Sequence, residues 1–406
     1  NNTAIGQNAL KWFSKTVGTT AVGSEAGYYT TGSYNSFFGY KAGHGGTTSA
    51  PYSSGGSNTA LGYNALPVFT TGERNVAVGP SALSNVSTGY RNVGIGDRAN
   101  QGVSTGHSNV SIGYLAGYGG NVSANVAIGA EALFTANGSA NVAVGMEAGR
   151  YTTANDGVWI GKSAGSTGAG GGQSVIVGYY AGRYIVGNQV VHIGRFAGHY
   201  ATGSQNTFVG YNAGQGGTTS APYSSGQYNV ALGTEALEGF TTADNNVAIG
   251  FRAGEAITTG GSNVAVGAYA LDAATTPTSN TAIGFRAGGA HTTGESNVWV
   301  GKEAGEVGTY YASCVGVGAG ALNRLSGSYN VGIGPSALSG NQGGGATASS
   351  KNTAVGYEAL KQVAQGAQGE NQENVGVGYQ AGDAATTGHY NTFIGAHAGG
   401  TVRSIW

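Results

Sequence analysis

A single short pattern recurs from one end of the chain to the other, and it limits the fold more than any other feature. The segments Asn75-Val-Ala-Val-Gly79, Asn92-Val-Gly-Ile-Gly96, Asn109-Val-Ser-Ile-Gly113 and Asn125-Val-Ala-Ile-Gly129 are successive copies. The closing glycine of each copy anchors a unit, and 23 such anchors run from Gly6 to Gly395. Their spacing is 16 or 17 residues, except for four longer units at 39–62, 210–233, 334–356 and 356–378. A unit this short has no room for a useful helix, and no 3.6-residue apolar period is present. Units that each bury too little alone must stack. The pattern therefore predicts one all-β repeat domain over residues 1–406, a parallel β-roll or β-solenoid of about 23 coils of 16–17 residues. At a strand spacing near 4.8 Å, the stack would be a rod of roughly 110 Å.

Each position in the unit has a physical reading. The residue before the anchor is always apolar, and two residues earlier stands Val or Thr, with Ser36 the exception. Side chains alternate along a strand, so these two share a face. The residue between them points the other way. It is Ala or Gly in most units, bulky at Phe37, Trp159, Ile176, Phe208, Trp299 and Phe393, and polar only at Ser111 and His192. Three residues after every anchor stands an alanine, from Ala9 to Ala398, which implies a space that admits nothing larger. The anchor glycine suits a sharp turn between two short strands. The Asn that opens most units would form a hydrogen-bonded ladder along the stack.

A strand apolar on both faces is the mark of burial on both sides. One face fills the coil. The other needs a second surface, which the variable Thr/Gly-rich part of the unit does not supply, so self-association is expected. On this reading Ile128 points inward, and a carboxylate in its place would be buried unpaired and prevent assembly.

The unit Asn-Val-Ala-Ile-Gly-x-x-Ala, as in Asn125 to Ala132 and Asn246 to Ala253, resembles the head repeat of YadA-like trimeric autotransporter adhesins. The likeness covers the core of nearly every unit. It implies a left-handed β-roll, a homotrimer and a bacterial surface location. The family unit is usually shorter, and no stalk, neck or membrane anchor follows here. Similar repeats occur in phage tail fibres and other bacterial surface fibres. The expected function is thus an extracellular structural or adhesive fibre, with a phage tail-fibre shaft or receptor-binding fibre as the alternative. Its expected partners are copies of itself and a host glycan or surface protein. The chain opens in mid-pattern, which reads as an excised portion of something longer or as a unit that stacks end to end into filaments.

Composition excludes several other classes. Net charge is −1 and charged residues make up only 9% of the chain, so the basic field that nucleic acid requires is lacking. No stretch is long and apolar enough to insert into a bilayer. The lone Cys314 rules out an internal disulfide framework and a cysteine zinc site.

Apparent enzyme motifs fall on the repeat's own glycines. Gly161-Lys-Ser163-Ala-Gly165 matches the nucleophile elbow, and Gly94-Ile-Gly96-Asp-Arg-Ala99 and Gly376-Val-Gly378-Tyr-Gln-Ala381 match the dinucleotide fingerprint. Each would need a following helix that the pattern does not predict. The histidines are scattered, and no cofactor, metal or catalysis is expected. Charges two residues after the anchor read as a solvated ridge. The aromatic residues one after it read as packing between coils or a platform for sugars.

Two further features bear on function. Paired threonines at Thr241-Thr242, Thr258-Thr259, Thr275-Thr276 and Thr292-Thr293 recur every 17 residues and raise an ice-binding alternative, although adjacent threonines running into Gly or Pro look more like turns. The long units after Gly39 and Gly210 share an identical 11-residue stretch, Gly45 to Gly55 and Gly216 to Gly226. Insertions in solenoids become loops, often on a binding face. Pro51, Tyr52, Pro222 and Tyr223 are accordingly the candidate ligand contacts, while duplication of a ten-coil block accounts equally for the identity.

Overall fold

The computed structural model describes residues 1–400 except 13–15, 47–51, 136, 169, 218–222, 291, 309, 341–346, 363–371 and 386–387. The chain forms two compact units, Asn1–Phe196 and Ala197–Trp406. Within each, every repeat contributes one three-residue strand ending just before its anchor glycine, such as Val126–Ile128 and Val247–Ile249. Strands of consecutive repeats pair in parallel and in perfect register: Val126, Ala127 and Ile128 lie beside Val142, Ala143 and Val144. Eleven such steps in the first unit and ten in the second make an all-β parallel β-solenoid of about 21 turns, with no helix among the described residues.

The register follows from side-chain chemistry. The middle residue of each strand points into the coil. Ala77, Ala127, Trp159, Phe208 and Trp299 are all fully buried there, and so are the alanines three after the anchors, such as Ala82, Ala132 and Ala164. Beside the strand runs the predicted asparagine ladder. The Asn75 backbone N–H donates to Asn58 Oδ1 at 2.9 Å, and the Asn75 amide donates to the Gly89 carbonyl of the next coil at 2.9 Å. Each buried amide thus satisfies its neighbour's backbone, which a buried polar group requires. The ladder continues from Asn229 through Asn246, Asn263 and Asn280 to Asn297. Cys314 then substitutes, accepting the Asn330 N–H at its Sγ.

The anchor glycines answer to stacking as well as to turning. A Cβ on Gly129 would lie 2.6 Å from the carbonyl of Gly145 in the next coil, and its φ is +128°. The turn that follows is closed by the invariant alanine, whose N–H donates to the anchor carbonyl, as in Ala132 to Gly129 at 3.3 Å. Its third residue is left-handed although it is seldom glycine: Glu131 has φ 57° and Arg252 φ 56°. This is the geometry of a type II turn, which normally favours glycine or asparagine there. The expected second strand is rare. Among the described residues, only short pairs such as Thr293–Glu295 with Tyr310–Ala312 form on the other side of the coil. Most of that side is a series of turns whose N–H groups bond to the next coil's carbonyls.

The residue four after the anchor is also left-handed, and it is usually Gly or Leu. Leu66, Leu133 and Leu237 sit there, fully or almost fully buried, with φ of 48° to 51°. A left-handed Leu costs roughly 1–2 kcal/mol. Burying its side chain returns about 1.5–3 kcal/mol, so Leu is favourable only where there is space to fill. That space exists in coils whose strand carries Ala or Gly at its middle and whose neighbours do not fill it, unlike the coil of Ala143, where a Cβ on Gly149 would lie 2.9 Å from Leu133 and 3.0 Å from Trp159. Coils with Phe37, Trp159, Phe208, Trp299 or Phe393 have Gly43, Gly165, Gly214, Gly305 or Gly399 instead, and a Cβ there would lie 2.2 to 2.5 Å from the ring.

Candidate functional site

The outward pair of each strand forms the first candidate surface. In the single chain Ile95, Ile112, Ile128 and Ile160 are 36–40% exposed, and Leu61, Leu232 and Ile283 are 40–49% exposed. Their partners two residues earlier, such as Val93, Val126 and Val247, are half-buried. Because the coils are in register, these side chains form two adjacent apolar rows within each unit. Ile128 is therefore on the outer face of its own coil and not in its interior. Burial of its side chain depends on a second surface.

The two matching insertions leave the coils intact. Gly46 N–H donates to Phe69 O and Ser54 N–H to Thr70 O, consecutive carbonyls of the next coil. The second unit repeats this with Gly217 to Phe240 and Ser225 to Thr241. Pro51 and Pro222 lie outside the described residues. Tyr52 stacks on Tyr29 with ring centres 5.9 Å apart and tilts against Trp12 at 5.8 Å. Tyr223 stacks on Tyr200 in the same geometry, at 5.9 Å. Each tyrosine is thus half-buried against a ring of its own unit, and the serine after it, Ser53 or Ser224, bridges to the previous coil.

The residues just after the anchors form an exposed ridge. Tyr40 stacks on Tyr63 at 5.7 Å, and Tyr357 on Tyr379 at 5.3 Å, so ring-to-ring packing between coils is one of its uses. The charges next to it pair along the stack. Arg150 bonds Glu131 at 2.5 Å and Arg252 bonds Glu235 at 2.6 Å. Glu235, Glu238 and Glu255 bring carboxylate oxygens within 4.8 Å of one another, but Arg252 already lies against two of them. Burial, reinforced by the neighbouring glutamates, raises the pKa of Glu238.

Ser163 is fully buried, and its hydroxyl donates to Glu147 Oε2 at 2.8 Å. It occupies the left-handed turn position at φ 55°, followed by turns rather than a helix. The glycines of the two dinucleotide-like matches are strand and anchor positions in the same way. His192 is wholly buried at the middle of its strand, where burial lowers its pKa to about 3. The leading threonines of the pairs are used within the stack: Thr241 Oγ1 donates to Thr258 O, and Thr258 Oγ1 to Thr275 O, each at 2.9 Å. Among the described residues, no helix is long and apolar enough to cross a membrane.

Sequence reasoning missed the pairing of bulk between the strand centre and the fourth residue after the anchor, although both positions are visible in the repeat. Neither protein-family models nor curated proteins give a match to this chain.

Proposed function

We propose that the chain is the repeat region of an extracellular structural or adhesive fibre, at a cell surface or on a virion, whose copies associate side by side as a homotrimer through the outward Val/Ile rows. The observation that carries this reading is the row from Ile95 through Ile112 to Ile128 and Ile160, apolar and open to solvent in a lone chain. Soluble monomers rarely expose a contiguous apolar patch beyond a few hundred Å². A second and third copy of the same face would cover it, and a repeating face extends the contact with every coil. The buried asparagine ladder and register suit a rigid shaft. A surface adhesin and a phage tail-fibre both use such a shaft, and neither needs catalysis. Tyr52 and Tyr223, with Pro51 and Pro222, remain the candidate contacts to a host glycan or surface protein.

Native mass measurement and sedimentation at micromolar concentration test the assembly, with three chains per particle expected and a stable monomer overturning it. Excision of residues 47–52 and 218–223 tests the loops. Particles should persist, because the ladder resumes on both sides of each insertion, and adhesion to host cells should fall.

A further inference from the structure

Acidic residues are absent from the whole stretch between Asp156 and Glu235, and the cations in it are Lys162, Arg183 and Arg195, on three consecutive coils of the first unit. Elsewhere the cations of the ridge commonly sit against a carboxylate, as Arg150 does with Glu131 and Arg286 with Glu306. Here they sit on rings. Lys162 and Arg195 flank the exposed Tyr179 from the coils before and after it, with Nζ 5.9 Å and Cζ 5.7 Å from the ring centre. Arg183 lies 4.6 Å over Tyr180 and 5.4 Å over Tyr184, and its Nε is buried without a hydrogen-bond partner. Tyr180 stacks on Phe196 at 6.0 Å, and Arg195 lies 4.9 Å from that ring.

We propose that Lys162, Arg183 and Arg195, with the exposed edge of Tyr179 between them, form a site for an anionic oligosaccharide bearing sulfate or carboxylate groups. Three cations with no acid on their coils leave a local positive charge on a chain whose net charge is −1. A ring or a hydrogen bond leaves a cation its charge, which an anion can still meet. Lys162 and Arg195 are two coils apart, roughly 9.5 Å at ordinary strand spacing, a distance comparable with one disaccharide. The tyrosine between them offers an apolar surface to a sugar's C–H groups. Nucleic acid fits less well, since three charges confined to three coils cannot follow a phosphate backbone. The site uses the ridge after the anchor glycines and not the Val/Ile rows, so it does not rest on the trimer.

The test is binding of the full chain to an immobilised heparin-derived octasaccharide, a polyuronate of the same length, the desulfated form and a neutral glucan. Either anionic probe binding, with the neutral probe at least tenfold weaker, is the expected result, and the preferred probe distinguishes sulfate from carboxylate recognition. K162Q/R183Q/R195Q should lose at least tenfold. R252Q, a cation paired with carboxylates, should change nothing. Should the triple variant unfold, the exposed Lys162→Gln alone should lose about threefold. Unchanged binding in the folded variants, or equal competition by duplex DNA of matched charge, overturns the proposal. Mass measurement on the same samples reports the oligomeric state separately.

Discussion

Trp159 and Gly165 share one space: a Cβ on Gly165 would lie 2.3 Å from Trp159 Cδ1. In the coil of Ala127 the same space is filled by Leu133, fully buried at φ 49°. A coil with a ring at its strand centre thus has glycine on the turn, and a coil with Leu on the turn has Ala or Gly on the strand, while coils such as that of Ala143 and Gly149 carry neither and are filled by Leu133 and Trp159 of their neighbours.

The exchange is testable. Gly165→Leu should overfill the coil and destabilise by about 3 kcal/mol or more, and Trp159→Ala should cost about 3–5 kcal/mol through the cavity it leaves. The double variant W159A/G165L recreates the Ala127–Leu133 arrangement. It should be more stable than either single variant, and denaturant midpoints of all four proteins give the coupling. Additive losses would refute the shared space.

Asn246 Oδ1 accepts from both the backbone and the amide of Asn263, at 3.0 and 2.9 Å. Asn246→Val should strand the buried Asn263 backbone N–H, while the Asn263 side-chain amide keeps Gly261 O and Pro277 O, and cost about 1–3 kcal/mol. Asn246→Ser should cost less, because Ser174 Oγ already accepts the Val190 N–H in the same role at 3.1 Å. Hydrogen exchange at the Asn263 amide should rise in the valine variant.

His192 gives the stability a pH dependence of definite sign. Burial holds its folded pKa at about 3, below the ordinary value of 6.5. Between those values the unfolded chain binds the additional proton, so stability is complete above pH 6.5 and falls as the pH drops towards 3. The slope is at most about 1.4 kcal/mol per pH unit. His192→Phe places at this strand centre a residue that other coils use. It should flatten the difference between melting points at pH 7 and pH 4, and an unchanged difference would exclude His192 as its source.

Ile128→Asp separates folding from assembly. Ile128 is 36% exposed on the outside of its coil, so a carboxylate there keeps contact with water in the single chain. A covered Val/Ile face would bury it unpaired, at a cost of several kcal/mol. The variant should retain its β circular dichroism and sediment as a monomer. An assembly that the substitution leaves unaltered would show that these rows are not the interface.

The coil, its parallel stacking, the asparagine ladder and the closely fitted alanine were all legible in the repeat, because identical residues recurring at one spacing can only lie above one another. Ser163 falls on the turn position of the same repeat, where it is buried and bonds Glu147.

The sequence alone thus determined the period, the strand position and the apolar character of both strand faces, since all three follow from local alternation and recurrence. Which face turns inward was decided only in three dimensions. The coil is too narrow for two β-branched rows but accepts one Ala, or one ring opposite a glycine, so the Val/Ile pair is turned outward and Ile128 with it. The left-handed Glu131 and Leu133 were likewise illegible, because their residue types disfavour that backbone. They adopt it because the turn must close within four residues while the Glu131 N–H reaches Tyr114 O of the preceding coil and the Leu133 N–H reaches Ala148 O of the next.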